Sequence, residues 1–225
     1  MGGLFITFEG GEGSGKTTQL KALLTHLRAE GRDVVETRDP GGTPIGKQIR
    51  SLLLNPANGG MAVVTELFLY EASRAQLVRE VIRPALAVGR IVLCDRFADS
   101  TVAYQGHGRG LDLGLIARLN ALAADGLRPD LTVLLDLDPE AGLARVGQRL
   151  TPPAERHDRI EGEVLGFHQR VRAGYLAIAA AEPDRVVRLD ASHGMAEIEE
   201  LIRRRVEGLL RSPVRPSGPG ILASG

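Results

Sequence analysis

Gly10-Gly11-Glu12-Gly13-Ser14-Gly15-Lys16-Thr17, with Thr18 behind it, is the stretch from which the rest of the chain can be read. It fits the pattern of a glycine, four residues, then Gly-Lys-Ser/Thr, which marks a loop that wraps phosphates. The preceding Leu4-Phe5-Ile6-Thr7-Phe8 is apolar, β-branched and aromatic, and predicts a buried strand. The following Leu20, Leu23, Leu24 and Leu27 recur at helical spacing. Strand, glycine turn and helix are the context such a loop requires. Its glycines let backbone N–H groups converge on phosphate oxygens with no Cβ in the way, and the helix starting near Lys16 adds its positive dipole end. Lys16 would reach the outer phosphates of a nucleoside triphosphate, and the Thr17 hydroxyl would ligate the Mg²⁺ they carry.

A chain of 225 residues can bury one sizeable α/β core. Lysine plus arginine equals aspartate plus glutamate at 28 each, so no global field draws in nucleic acid or an acidic membrane. A single cysteine, Cys94, excludes an intrachain disulfide and a zinc cluster, and its place at a strand end predicts a buried thiol. No stretch approaches 18 apolar residues, and the N-terminus has no charged start leading into a long apolar segment. A soluble, cytoplasmic protein is expected.

Further strands are predicted at Val34–Thr37, Ile91–Asp95, Leu131–Asp136 and Val186–Leu189. Helical patterns run from about Ile45 to Leu54, Thr65 to Val88 (interrupted at Arg83-Pro84), Leu115 to Asp125, Glu161 to Ala181 and Ala196 to Leu210. The charged stretch Arg145 to Arg159 carries Pro152-Pro153, and the Pro-, Gly- and Ser-rich tail 212–225 is expected to be disordered. One domain over 1–211 follows, an α/β fold whose five-stranded parallel sheet is flanked by helices. Right-handed crossovers bring the loops after the strands to one edge, where ligands bind. Gly10–Thr17, Arg38–Thr43, Asp95-Arg96 and the stretch after Asp136 should therefore gather round one crevice.

Asp95 ends an apolar strand, where a carboxylate either holds Mg²⁺ beside the phosphate loop or caps the next helix. The adjacent Arg96 favours the first reading, because a guanidinium there suits a second phosphate and hence an acceptor that is itself phosphorylated. Glu66, Tyr70 and Arg74 share one helix face. Tyr70 and Arg74 form either a base-binding pair, ring and donor, or a core aromatic beside a solvated Glu66–Arg74 face. Thr101, Tyr104 and Gln105, at i, i+3 and i+4, form either a recognition surface or a capped surface helix. Arg145, Arg149, Arg156 and Arg159 form either a solvated face or a flap that supplies cations to a transferring phosphoryl group.

Taken together, these residues resemble the thymidylate kinases of the nucleoside monophosphate kinase group, of bacterial type, over about Leu4 to Leu210. The resemblance rests on Phe8-Glu9-Gly10 leading into the phosphate loop, Thr37-Arg38-Asp39-Pro40-Gly41-Gly42-Thr43, Asp95-Arg96-Phe97, Ser100-Thr101-Val102-Ala103-Tyr104-Gln105-Gly106, and Asp158-Arg159-Ile160-Glu161. It implies a three-layer P-loop NTPase fold with an arginine-bearing lid at about 145–159. It also implies a homodimer that phosphorylates dTMP to dTDP with ATP and Mg²⁺, for dTTP synthesis. By position, Gly10, Gly11, Glu12, Gly13, Ser14, Gly15, Lys16, Thr17 and Thr18 would bind ATP, with Arg145 against adenine. Arg96 and Arg50 would grip the dTMP phosphate, and Glu9 would sit near that phosphate and the metal held by Thr17 and Asp95. Tyr70 would stack on thymine and Arg74 donate to its carbonyl. Thr101 and Gln105 would read the base edge, and Tyr104 would crowd out a ribose 2′-hydroxyl. Arg149 or Arg156 would serve the transition state from the lid. The chain departs from the family's commoner residues at Tyr70 (phenylalanine) and Asp39 (glutamate), and its lid is longer around Leu150-Thr151-Pro152-Pro153. With Glu12 the loop carries no basic residue besides Lys16, which in this family accompanies a lid-borne arginine. A kinase for another nucleoside monophosphate, or a P-loop regulatory ATPase, are the rival readings.

Overall fold

The computed structural model describes residues 3–149 and 158–211, the side chain of Arg149 excepted. Five strands, β1 (Leu4–Gly10), β2 (Val34–Arg38), β3 (Ile91–Asp95), β4 (Leu131–Asp136) and β5 (Val186–Asp190), form one parallel sheet in the order β2-β3-β1-β4-β5. β1 lies at its centre and is buried along its whole length, as suits its mostly apolar sequence.

Alternation along the strands feeds two helical layers. Ile6, Phe8, Leu93, Val133 and Leu135 pack with Leu20, Leu23, Leu24 and Leu27 of α1 (Lys16–Ala29) and with Ile198, Ile202 and Val206 of α9 (Met195–Arg211). On the opposite face Phe5, Val92 and Cys94 meet Leu77, Val78 and Ile82. Cys94 is buried, as its position predicts, and burial pushes its thiol pKa up.

Four elements differ from the sequence expectation. The helix entering Pro84 is not interrupted: α3 (Val63–Leu77) passes through a π-helical turn, Val78–Ile82, into α4 (Arg83–Ala87). The wider turn accommodates a residue that has no N–H to donate. A second π-helical turn, Val102–Gly108, follows the short α5 (Ala98–Thr101). Helix α7 (Pro139–Arg149) was not anticipated, because Gly142 and Gly147 weaken its propensity; Pro139 opens it and Asp138 accepts from the Glu140 N–H at 3.0 Å. Helix α8 (Leu165–Ala181) starts later than Glu161, since the Asp158 carboxylate folds back on the N–H groups of Ile160 and Glu161 and makes a turn there. The remaining helices are α2 (Pro44–Leu54) and α6 (Leu113–Ala123). Arg156, most of the lid and the tail 212–225 lie outside the described residues.

Candidate active site

The loops at the carboxyl ends of the strands do converge, and three cavities lie end to end among them. The middle one is lined by Gly13–Thr18 with Arg38, Arg50, Asp95 and Arg96. Tyr70, Arg74, Tyr104 and Gln105 line a second, which shares Glu12, Arg50 and Arg96 with the first. Arg145, Gln148 and His193 line a third, which shares Gly13, Ser14, Gly15 and Thr18 with the first.

The middle cavity has the chemistry of a polyphosphate site. Gly13 and Gly15 take φ of 67° and 90°, the left-handed backbone that turns successive N–H groups inward. A Cβ on Gly13 would lie 2.2 Å from the Gly142 carbonyl oxygen, so α7 clamps the loop from outside. Lys16 Nζ donates to the Gly11 carbonyl at 2.7 Å. Burial first, then the neighbouring Arg96, bring its pKa down to about 8. The exposed Thr17 hydroxyl donates to Asp95 Oδ2 at 2.9 Å. A hydroxyl and a strand-end carboxylate converging there form an all-oxygen donor pair that fits Mg²⁺.

Arg96 lines both the middle and the second cavity, with a φ of 69°, rare for a side chain with a Cβ. Its N–H donates to the Phe8 carbonyl at 3.0 Å, and the next N–H, of Phe97, donates to Glu9 Oε1 at 2.7 Å. The guanidinium reaches Glu12 Oε1 at 2.7 Å and the Tyr175 hydroxyl at 3.1 Å, above the Tyr104 ring. Burial alone would raise Glu12, but Arg96, Lys16 and the Tyr104 hydroxyl outweigh it and hold the carboxyl near a pKa of about 2. A phosphate entering here exchanges one anion for another on Arg96.

Glu9 lies elsewhere than the sequence suggests, and Arg74 lines the expected cavity with different partners from those expected. Glu9 does not face a cavity: it is fully buried, and its oxygens accept from the Phe97 N–H and from the Ser100 and Tyr175 hydroxyls at 2.6–2.8 Å. It anchors the backbone turn beneath Arg96. Burial, with Asp99 adding to it, pushes its carboxyl up to about 7 against the pull of Arg96 and the two hydroxyls. Arg74 lines the second cavity, yet its N–H groups are taken up by Asp39 at 2.7 Å, Glu71 at 3.0 Å, Thr101 at 2.7 Å, the Phe97 carbonyl and Asn120. It fixes the wall of that cavity and has no donor left for a base. The Glu66–Arg74 face is accordingly buried, not solvated.

Tyr70 borders the same cavity, its phenol pKa raised by burial and by Glu66 one turn away. Gln105 Nε2 donates to Glu66 at 2.8 Å, and Arg50 donates to the Pro40 carbonyl at 3.1 Å. Arg145 packs on the Ala191 carbonyl at the third cavity. Sequence reasoning did not single out Tyr175, Ser100 or Arg38. Arg38 follows a strand, which marked its loop but not its side chain. Tyr175 lies 166 positions from Glu9 on an ordinary amphipathic helix and gave no signal.

Comparison with known proteins agrees with this geometry. A family profile described as thymidylate kinase matches residues 8–202. The thymidylate kinase of Geotalea uraniireducens is 53% identical over 205 residues, 91% of this chain and 96% of that one. That of Geobacter sulfurreducens is 55% identical over 194 residues, 86% of this chain and 91% of that one. The crystal structure of thymidylate kinase from Ehrlichia chaffeensis superimposes with a TM-score of 0.72 at 35% identity, covering 92% of this chain and 99% of that one. With a parallel sheet, a phosphate loop at its centre and a matched profile spanning nearly the whole domain, the chain belongs to the thymidylate kinase family.

Proposed function

We propose that the protein transfers the γ-phosphoryl group of ATP directly to the phosphate of dTMP, in line and without a covalent enzyme intermediate. The observation that carries this reading is the row of three cavities, with phosphate-binding groups in the middle and a base-sized recess at each end. In that row ATP occupies the phosphate loop and the Arg145 recess, and dTMP enters from the Tyr70 side. The two nucleotides then meet beside Arg96.

Arg96 and Arg50 take the acceptor phosphate, the Glu12 carboxylate giving way. Lys16 and the loop amides hold the donor phosphates, and Thr17 with Asp95 would hold Mg²⁺, which when bound offsets phosphate charge. The acceptor oxygen is already largely anionic near neutrality, the second pKa of a phosphate monoester being about 6, so no strong general base is needed. Catalysis is then positioning and charge neutralisation, with Arg149 or Arg156 adding a cation. Tyr70 stacks on thymine, Thr101 and Gln105 shape its edge, Tyr104 occupies the space a 2′-hydroxyl would need, and Arg74 stiffens the wall behind them.

A homodimer in the cytoplasm completes the reading. No described helix is long and apolar enough to cross a membrane. The neighbouring helices α2, α3 and α6 each expose apolar side chains at helical spacing: Ile45 and Leu52, Val64 and Phe68, Leu115 and Leu122. The deciding measurement is ADP release from ATP with dTMP, dUMP, UMP, CMP or AMP as acceptor. Strong dependence on dTMP is expected. Turnover without any acceptor, or none with dTMP, would overturn the proposal.

A further inference from the structure

Glu66 is a carboxylate that the phosphoryl-transfer reading leaves without a task. It is 1% exposed. Its Oε1 accepts from Gln105 Nε2 at 2.8 Å and from Arg109 Nε at 3.2 Å. Its Oε2 accepts from Arg109 Nη2 at 3.1 Å and pairs with Arg159 Nη1 at 2.6 Å. Burial alone would raise its pKa, but the donors from Arg109 and Gln105, and the charges of Arg109 and Arg159, hold it below the usual carboxylate range.

These partners belong to two stretches of the chain that line the same cavity. Gln105 lies in the π-helical turn Val102–Gly108, on the side where the acceptor's base is placed. Arg159 lies in the turn before α8, between Asp158 and Ile160, both of which also line that cavity, and Ile160 packs with Tyr104. Glu161, two residues on, lines the phosphate cavity. The Arg159 backbone N–H and Nε donate to the carbonyls of Leu54 and Leu53 at 3.0 and 2.7 Å. Arg109 braces the same turn through Glu163 at 2.6 Å.

We propose that Glu66 is a positioning residue for the acceptor. By holding Gln105 and Arg159 on one carboxylate it sets how these two lining stretches stand to each other, and with that the fit of the acceptor's base. The inference rests on the reading that the Tyr70 cavity receives dTMP. A buried carboxylate shared by several donors suits this task, because moving either stretch leaves a charge desolvated and unpaired.

The test uses the full chain with Glu66→Gln and Arg159→Lys. Steady-state KM for dTMP and dUMP, the Kd for ATP alone, and hydrogen exchange with and without dTMP are measured on each. Glu66→Gln is expected to raise the dTMP KM about tenfold or more and to narrow the preference for dTMP over dUMP, with ATP Kd within about twofold of the parent. In the parent, dTMP should slow exchange both in α3 and in residues 158–163; in the variant only the first effect should survive. Arg159→Lys keeps the charge but cannot span Leu53 and Glu66 together, so it should show the same pattern if Glu66→Gln does not fold. Unchanged dTMP KM in a folded variant, or equal losses for ATP and dTMP, would overturn the proposal. So would a parent protein in which dTMP protects α3 but not 158–163. If dTMP protected neither region of the parent, the placement of the acceptor would itself be wrong, a separate outcome.

Discussion

At Arg96 the backbone and the side chain make opposite demands. A φ of 69° costs a residue with a Cβ of the order of 1–3 kcal/mol, yet it points the guanidinium into the crevice while Glu9 and Phe8 fix the backbone below. Replacing Arg96 by alanine should lower kcat by about 10²–10³-fold with ATP affinity nearly unchanged, which calorimetry and steady-state kinetics would separate. Lys16 adds a pH signature. Its pKa in the free protein is about 8, against an ordinary 10.5, because burial disfavours the charge. ATP affinity should therefore weaken as pH rises through 8, and titration calorimetry between pH 7 and about 9.5 would detect it. Glu9 adds a pH signature to stability. Its folded pKa of about 7 lies above the ordinary 4.5, so the folded protein binds more protons than the unfolded chain between these values. Its contribution is fully present below pH 4.5 and is lost as pH rises through 7. Glu9→Gln should flatten that part of the Tm–pH curve.

Among the elements, α7 shows how a helix can matter through one contact. Gly13 and Gly142 approach so closely that a Cβ on Gly142 would sit 2.2 Å from the Glu12 carbonyl oxygen. Gly142→Ala should push α7 off the phosphate loop, destabilise the protein by about 1–3 kcal/mol and raise the ATP KM. Thermal unfolding and kinetics would check both; a variant with parental Tm and ATP KM would show that the loop yields freely. The two π-helical turns illustrate the same economy. One carries the chain past Pro84, and the other ends a segment that places Tyr104 and Gln105 along one cavity and the buried Thr101 against Arg74.

For the whole molecule, the proposed dimer has a direct test. Phe68 is 55% exposed and lies one turn from the exposed Val64. An apolar stripe shared by α2, α3 and α6 suits a self-complementary interface, in which each residue is used twice. Phe68→Asp should therefore yield a monomer by light scattering, while a monomeric parent protein would dismiss the idea. Because α3 also carries Tyr70, Arg74 and Glu66 on its inner face, the monomeric variant should bind dTMP more weakly too.

Sequence alone determined the five strands and most of the helices between them, the phosphate loop and its lysine, and the edge of the sheet where ligands gather. These depend on local periodicity and on glycines whose backbone freedom is needed at fixed spacing. It also supported the family resemblance, since each motif is a run of neighbouring residues. Tertiary structure decided what long-range partners decide: that Arg74 is saturated by Asp39, Glu71 and Thr101, that Glu9 anchors Arg96 from below, and that Glu66 is shared by Gln105, Arg109 and Arg159 instead of facing water. A charged side chain spells the same letter whether it is solvated or buried, and only the groups folded against it fix its role.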